Sequence, residues 1–343
     1  MKKLVSILIS VIVFYLFFIV LIKSTNFKGE QVYVQYNNEG LSQFADSLVA
    51  KKIIFEKTSF LLIAKVFKVE DKIRPGKFLV KRKTNLIDII RMLRNNRQAT
   101  VKLVLNKVRT KGEFAKLIAT AFDKDSAAVM TFLSSNDSLK AFETDTTQLF
   151  TILIPNTYEF YWNTKADKFR DKMIKEYHKF WNTERMSQAQ KLGLTPVQVM
   201  TLASIVHKET VKKDERPRVA GVYLNRLRLG MLLQADPTVI FAKKKKLGNF
   251  DMVIKRVFSN DLKIDSPYNT YFYGGLPPGP IAMPDITAIE AVLIPEKHNY
   301  IYFCASVTRF GYHEFAVNES EHEVNRTNYI NWLRKQIQIS KSN

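Results

Sequence analysis

Three side chains able to handle charge or protons, His207, Lys208 and Glu209, stand in a row where the apolar stretch "LASIVHKET" gives out. A carboxyl group held partly out of water is raised in pKa and can act as a general acid near neutrality. An imidazole there invites a metal, since His-x-Glu is half of the zinc deaminase signature. The other half needs Pro-Cys-x-x-Cys, and the chain has one cysteine, Cys304. No His-Glu-x-x-His occurs, and His178, His298, His313 and His322 show no ligand spacing with His207, so neither a metal nor a cofactor is expected. A serine–histidine hydrolase is equally unsupported, because no Gly-x-Ser-x-Gly is present.

The segment carrying these residues, "LTPVQVMTLASIVHKET", has a well-marked helix start. Thr195 suits the N-cap, Pro196 the first helical position, and Gln198 completes a capping box. At about 100° per residue, Leu202, Ile205 and Val206 share a stripe that Glu209 joins at i+7. His207 falls about 140° from Leu202, and Lys208 about 120° the other way. Phase therefore sends Glu209 where the apolar face points and turns its two neighbours aside. Two readings stay open: a general acid at the floor of a cleft, or a glutamate at a frayed helix end paired with a nearby arginine.

The elements around this helix form an α+β chain. "VYVQYN" alternates like a strand, and "GLSQFADSLVAKKI" and "FLLIAKVFKV" read as helices. A Pro-Gly turn, a strand and a helix capped by Thr84 or Asn85 follow in "IRPGKFLVKRKTNLIDIIRMLRNN", then a strand in "TVKLVLN". Beyond about residue 105 helices dominate: "KGEFAKLIATAF", "DSAAVMTFLS", Lys165 to Trp181, and 195 to 210. Residues 231 to 285 are rich in Pro, Gly and Asn with few helical signals, and the lysines at 243 to 246 read as a solvated loop. "DITAIEAVLIP" resumes a helix, "YIYFCASV" a strand, and a last helix runs from about Glu321 to Gln338.

Composition sets outer bounds. Residues 4 to 22 carry no charge, a length that as a helix nearly matches the roughly 30 Å hydrocarbon core of a bilayer. No small-residue cleavage site follows, so a retained single-pass anchor is expected, with the chain after Ile22 outside the cytoplasm. The net charge of +21 favours anionic partners but selects none of them, and the lysine run gives no reason to expect nucleic acid.

Longer stretches resemble one family. "LASIVHKET…DERPRVAGVYLNRLRLGMLLQADPTVIFA", "SPYNTYFYGGLPPGPIAMP", "AVLIPEKHNYIYFCA" and "GYHEFAVNESEHEVN" are similar, in order, to the endolytic murein transglycosylases of the MltG (YceG-like) family. "LFTILIPNTYEFYWNT" is similar to that family's Pro-x-Thr-Tyr segment. The resemblance implies a transmembrane anchor over 1–23, a linker over 24–30, a small LysM-like α+β domain over 31–103, and a larger, mainly helical catalytic domain over 104–340 with short strands and a Pro/Gly-rich loop.

The resemblance also implies an activity. Such a protein cleaves the MurNAc–GlcNAc β-1,4 bond of nascent peptidoglycan without water, leaves 1,6-anhydro ends and terminates strand growth. Its setting is the outer side of the bacterial inner membrane, with glycan strands as substrate and cell-wall synthases as partners. One glutamate does the proton work, which the resemblance and the helical phase together assign to Glu209. Gln234, Asp236, Thr238, Tyr158, Tyr268, Asn269, Tyr271, Tyr273, His313 and Phe315 are implied to line the sugar cleft.

The chain departs from the family at one position: members commonly carry a glutamate where this chain has His207. That keeps open a binding or scaffold protein without catalysis. A muramidase-type hydrolase also stays open, with Asp236, Asp214 or Glu215 as the second carboxylate.

Overall fold

The alternating segment at the start of the chain and the one after the Pro-Gly turn find each other. In the computed structural model, which describes residues 25–105, 108 and 110–342 together with Ser10, β1 (Gln31–Tyr36) pairs antiparallel with β2 (Gly76–Lys81), Gln31 opposite Lys81 and Tyr36 opposite Gly76. Between them run α1 (Leu41–Ala50) and α2 (Lys57–Val66), and after them α3 (Leu86–Arg94). Asn85, not Thr84, caps α3, its side chain accepting the Asp88 amide at 2.7 Å. Phe44, Leu48, Phe60, Phe78, Ile89 and Leu93 are fully buried together. Burial of each such side chain contributes roughly 2–3 kcal/mol.

This core belongs to the first of two compact units, which comprises the described residues up to Leu103 with Ala121–Asp123 and Glu159–Ala166. The return of the chain is pinned where Asn163 donates to the Pro75 carbonyl at 2.6 Å.

The second unit takes Val104–Thr120, Lys124–Tyr158 and everything from Asp167 on. The paired strands β3 (Thr100–Val104) and β4 (Thr157–Tyr161), most of whose residues fall in the first unit, bracket α4 (Lys111–Phe122), α5 (Ser126–Leu133), the short α6 (Asn136–Lys140) and α7 (Leu149–Ile152). Then follow α8 (Ala166–Phe180), α9 (Thr183–Lys191), α10 (Pro196–Glu209), α11 (Arg216–Arg228), α12 (Asp236–Leu247), α13 (Ile286–Leu293), the antiparallel pair β5 (Tyr302–Ala305) and β6 (His313–Ala316), and α14 (Glu319–Ser342).

At the centre of this unit is α10. Its capping box is complete: the Thr195 side chain accepts from the Gln198 amide, and the Gln198 side chain accepts from the Thr195 amide at 2.8 Å. Val199 to Val206 are all buried, so the helix is enclosed on every side rather than along one stripe. Different faces of its last turn therefore meet different neighbours.

Two sequence readings need correction. Residues 236–247, including the lysine run, form a helix and not a loop. Pro237 sits in its first turn, and Gly248 closes it in the left-handed conformation, φ 64°. That Pro-in, Gly-out pattern was present in the sequence. Within the run, Lys243 pairs with Asp261 at 2.6 Å and Lys245 lies over the Tyr268 ring. The last helix is also longer than expected, Glu319–Ser342.

In the second unit two glycines mark close approaches to backbone. A Cβ on Gly221 of α11 would lie 2.5 Å from His298 Nε2 and 2.7 Å from the Glu296 carbonyl oxygen. One on Gly279, in the Pro/Gly-rich loop, would lie 2.5 Å from the Thr147 carbonyl oxygen. That loop is also tied to α10, where buried Ser204 accepts the Ile281 amide at 3.0 Å. The apolar run from Leu4 to Ile22 lies outside the described residues; among the described residues no helix is long and apolar enough to cross a membrane.

Candidate active site

The three polar residues at the end of α10 diverge. Lys208 is exposed and lines a cavity of about 410 Å³ with Ile240, Phe241, Lys244 and Phe250. His207 faces α13: its Nδ1 lies 3.4 Å from Asp285 Oδ2 and 3.5 Å from Arg216 Nη2. Glu209 faces α11, where the Tyr223 hydroxyl donates to its Oε1 at 2.6 Å.

The His207 side is an ion-pair cluster. Arg216, 3% exposed, donates to Asp285 Oδ1 at 2.6 Å and also reaches the Thr287 hydroxyl. Asp285 caps α13 by accepting the Ala288 amide at 3.0 Å. Burial by itself would raise the Asp285 carboxyl, but hydrogen bonds from His207, Arg216, Ala288 and Thr287 outweigh it and hold the group far below the usual carboxylate range. His207 is thus one of several partners of a firmly ionised aspartate.

The Glu209 side has the character of a proton-transfer site. Burial pushes the Glu209 carboxyl up to about 7, and the nearby Asp236 charge adds to this; the Tyr223 hydrogen bond and the His313 charge pull it down. Tyr223, 1% exposed, is itself raised well above 10 by burial and by Glu209, so it stays a hydroxyl donor. With Oε1 accepting from Tyr223, Oε2 is the oxygen left to carry a proton.

The expected cleft residues fall into two groups. Asp236 is exposed and accepts the Tyr271 hydroxyl at 2.7 Å. Gln234 is exposed, holds φ at 51°, and is steadied where Arg226 Nη1 donates to its Oε1 at 3.2 Å. A non-glycine residue at positive φ is kept there only by its surroundings. His313 and Phe315 lie on one face of β6, with Phe303 of β5 opposite Phe315. The Phe303 ring stands edge-on to His313 at 5.0 Å and edge-on to Tyr223 at 5.8 Å, which brings this hairpin to the Glu209 side.

The remaining expected residues have their polar atoms engaged within the fold. Buried Thr238 donates to the Ala235 carbonyl at 2.7 Å and meets the Thr270 hydroxyl at 2.8 Å. Asn269, fully buried, donates to the Leu262 and Ile264 carbonyls at 2.9 and 2.8 Å and shapes the loop that presents Tyr271. The Tyr268 ring is buried against Phe241, their centroids 4.6 Å apart. Tyr158 is buried, donates to the Ile154 carbonyl at 2.8 Å, and is raised in pKa by burial and by the charge of Glu176 of α8. The Tyr273 hydroxyl is held by Asp265 at 2.7 Å.

The second-carboxylate candidates separate too. Asp214 accepts from the Tyr312 hydroxyl at 3.0 Å. Glu215 is held by His313 through two contacts. Asp236 alone of the three is among the charges acting on Glu209.

Sequence reasoning missed Tyr223 and Arg226. Arg226, 7% exposed, donates to the carbonyls of Ile301, Leu232 and Leu233 and so joins the start of β5 to the loop carrying Gln234. A signal existed: Arg216 and Tyr223 sit seven apart on the buried stripe of α11 with Val219, Ala220 and Leu224. Polar groups on an apolar stripe are the positions where a buried network or a site is expected.

Known proteins resemble this chain over most of its length. Residues 32–328 match the YceG-like family. Over 179 residues, 52% of this chain, it is 37% identical to the endolytic murein transglycosylase of Bacillus subtilis and 34% identical to that of Streptococcus pneumoniae. These matches cover 47% and 32% of the relatives, so the chain spans about half or less of the curated proteins it matches. A crystal structure of a yceG-like protein from Listeria monocytogenes has a similar fold: TM-score 0.55 at 26% identity, covering 86% of this chain and 98% of that one.

Proposed function

The chain belongs to the YceG-like family, and from that premise we propose that it is a lytic transglycosylase acting on peptidoglycan glycan strands, with Glu209 as its single acid–base group. The observation that carries this reading is a carboxyl raised to about 7, oriented by a tyrosine hydroxyl, at the mouth of a helix otherwise enclosed in apolar side chains.

In this mechanism Glu209 Oε2 gives its proton to the glycosidic oxygen as the C1–O bond breaks and an oxocarbenium-like centre develops. The new carboxylate is held by Tyr223, whose hydrogen bond strengthens as the acceptor gains charge. The carboxylate then takes the proton of the sugar's C6 hydroxyl as that oxygen attacks C1. No water is consumed, and a 1,6-anhydro end results. Gln234, Asp236, Tyr271 and Phe315 supply polar groups and a flat apolar face suited to pyranose rings.

A hydrolase working with Asp236 is the second reading, favoured by the exposed Asp236 carboxylate, whose charge acts on Glu209. Such an enzyme would hold a water opposite the proton donor. The experiment incubates the full chain with uncrosslinked glycan strands and weighs the product ends. Ends lighter by one water support the transglycosylase, reducing ends the hydrolase, and intact strands a binding protein. Glu209→Gln is expected to abolish cleavage, and full activity in that variant would sink the assignment.

The wider setting belongs to the same proposal. The apolar N-terminal run acts as a single-pass anchor of the inner membrane, which places the catalytic unit on its outer side among growing strands and their synthases. There the enzyme ends strand elongation. The smaller unit, with its strand–helix–helix–strand order, is read as a LysM-like module. The net charge of +21 suits acidic stem peptides and anionic lipid.

A further inference from the structure

Glu215 immediately precedes α11, is 5% exposed, and meets one residue 98 positions away with both carboxylate oxygens, Thr210 adding a further side-chain hydrogen bond. Oε1 accepts the backbone amide of His313 at 2.7 Å, and Oε2 faces His313 Nδ1 at 2.8 Å. A two-point grip of this kind fixes the imidazole in position and in protonation pattern. Nδ1 must carry a hydrogen to meet a carboxylate, so Nε2 is the nitrogen left for other work. Burial would raise Glu215, but the contacts with His313 outweigh it and keep the carboxyl below its ordinary value, hence ionised.

The gripped ring belongs to the wall of the candidate site. It stands edge-on to Phe303, Phe303 edge-on to Tyr223, and Tyr223 donates to Glu209. We propose that Glu215 is a positioning residue, whose buried carboxylate holds the His313 imidazole in the wall of the site that contains Glu209, so that the ring keeps its place there. This deepens the reading of Glu209 as proton donor and rests on it.

The other charged and titratable groups near Glu209 are Tyr223 and Arg226 of α11, Asp236 of α12, and Tyr271, which is hydrogen-bonded to Asp236. On the α13 side, His207, Arg216 and Asp285 are engaged with one another. Lys208 faces the separate cavity. Among the described residues, Glu215 is the hydrogen-bonded carboxylate partner of His313.

The sign follows from charge. Among the groups acting on Glu209, His313 favours the ionised carboxylate and so opposes burial. In Glu215→Gln the ring loses the two-point grip that holds it in the site wall, so its pull on Glu209 weakens and Glu209 should hold its proton to higher pH.

The test is an NMR titration of the full chain, following the Glu209 side-chain carboxyl carbon and the His313 ring nitrogens in wild type, Glu215→Gln and His313→Gln, with the pH–rate profile on glycan strands recorded in parallel. The expected result is an upward move of the Glu209 titration by about half a unit or more, roughly threefold in proton affinity. Glu215→Gln combined with His313→Gln should move no further than His313→Gln alone, and the alkaline limb of the rate profile should follow. A Glu209 titration unmoved in Glu215→Gln overturns the proposal. Should that variant fail to fold, His313→Gln leaves the buried carboxylate in place with an amide donor to face it, and an unmoved titration there overturns the proposal equally. The titration needs no substrate. Intact strands in wild type alongside a shifted Glu209 titration would defeat the proposed function and leave the coupling standing; cleavage with an unshifted titration would do the reverse.

Discussion

The Tyr223 hydroxyl donates to Glu209 Oε1 at 2.6 Å, joining the last residue of α10 to the buried stripe of α11. Removing it in Tyr223→Phe takes away a hydrogen bond that strengthens when Glu209 is ionised. Such bonds contribute about 1.5–3 kcal/mol, so kcat should fall roughly tenfold to a hundredfold. Because the bond lowers the Glu209 pKa, its loss should also move the alkaline limb of the pH–rate profile upward. A rate profile unchanged in height and position would show that the contact has no part in proton transfer.

A proton donor raised to about 7 makes activity fall as pH rises through that value. Stability should follow the same sign. The folded-state pKa lies above the ordinary 4.5, so the folded state binds the proton more tightly, and that stabilisation, complete below about 4.5, is lost as pH rises through about 7. The full span is on the order of 3 kcal/mol. Urea unfolding between pH 5 and 9 should therefore show Glu209→Gln more stable than wild type at the alkaline end, with a flatter pH dependence.

His207→Gln should keep most of the cleavage activity and lose less than about 1 kcal/mol of stability, because Asp285 retains Arg216, Thr287 and the Ala288 amide. Loss of activity comparable to Glu209→Gln would move the proton work to the histidine.

Arg216→Met should be much more harmful, because it leaves the Asp285 carboxylate without its closest cation. With the Asp285 side chain 28% exposed, about 2–3 kcal/mol is expected. In wild type the depressed Asp285 pKa contributes stability that is present above about 4 and lost as pH falls further. Acid unfolding curves of the two proteins should therefore converge at low pH.

Gly221→Ala places a Cβ 2.7 Å from the Glu296 carbonyl oxygen, where the helix and the 296–298 segment must part to admit it. A cost of about 1–3 kcal/mol in thermal or urea unfolding is expected. Gly193→Ala tests a different cause, since nothing lies within 4 Å of its Cβ but φ is +70°.

Much of this protein is legible from local pattern. The capping box at Thr195 and Gln198, the strand–helix–helix–strand order of the first unit, and the place of Glu209 at the end of an apolar helix all follow from spacing and capping chemistry. These features depend on residues within a turn or two of one another, whose hydrogen bonds and phase are set by the backbone itself. The lysine run shows the limit of such reading. Four consecutive charges look solvated, yet Pro237 and Gly248 bracket a helix, and two of the lysines find partners that only folding brings near.

What His207 and Glu209 do was decided at longer range. Phase could separate them, but α10 is enclosed on all sides, and the chemistry of each depends on which helix its face meets: Asp285 and Arg216 for one, Tyr223 for the other. The same holds for Thr238 and Asn269, whose polar atoms look available in sequence and are consumed by backbone carbonyls and a buried hydroxyl in the fold. By itself the sequence determined many of the elements and the place of Glu209 at the end of an apolar helix, because helix phase is a local property. Only the tertiary structure determined the proton affinity of that carboxyl and its company, because burial and charge act through space between residues that the chain keeps far apart.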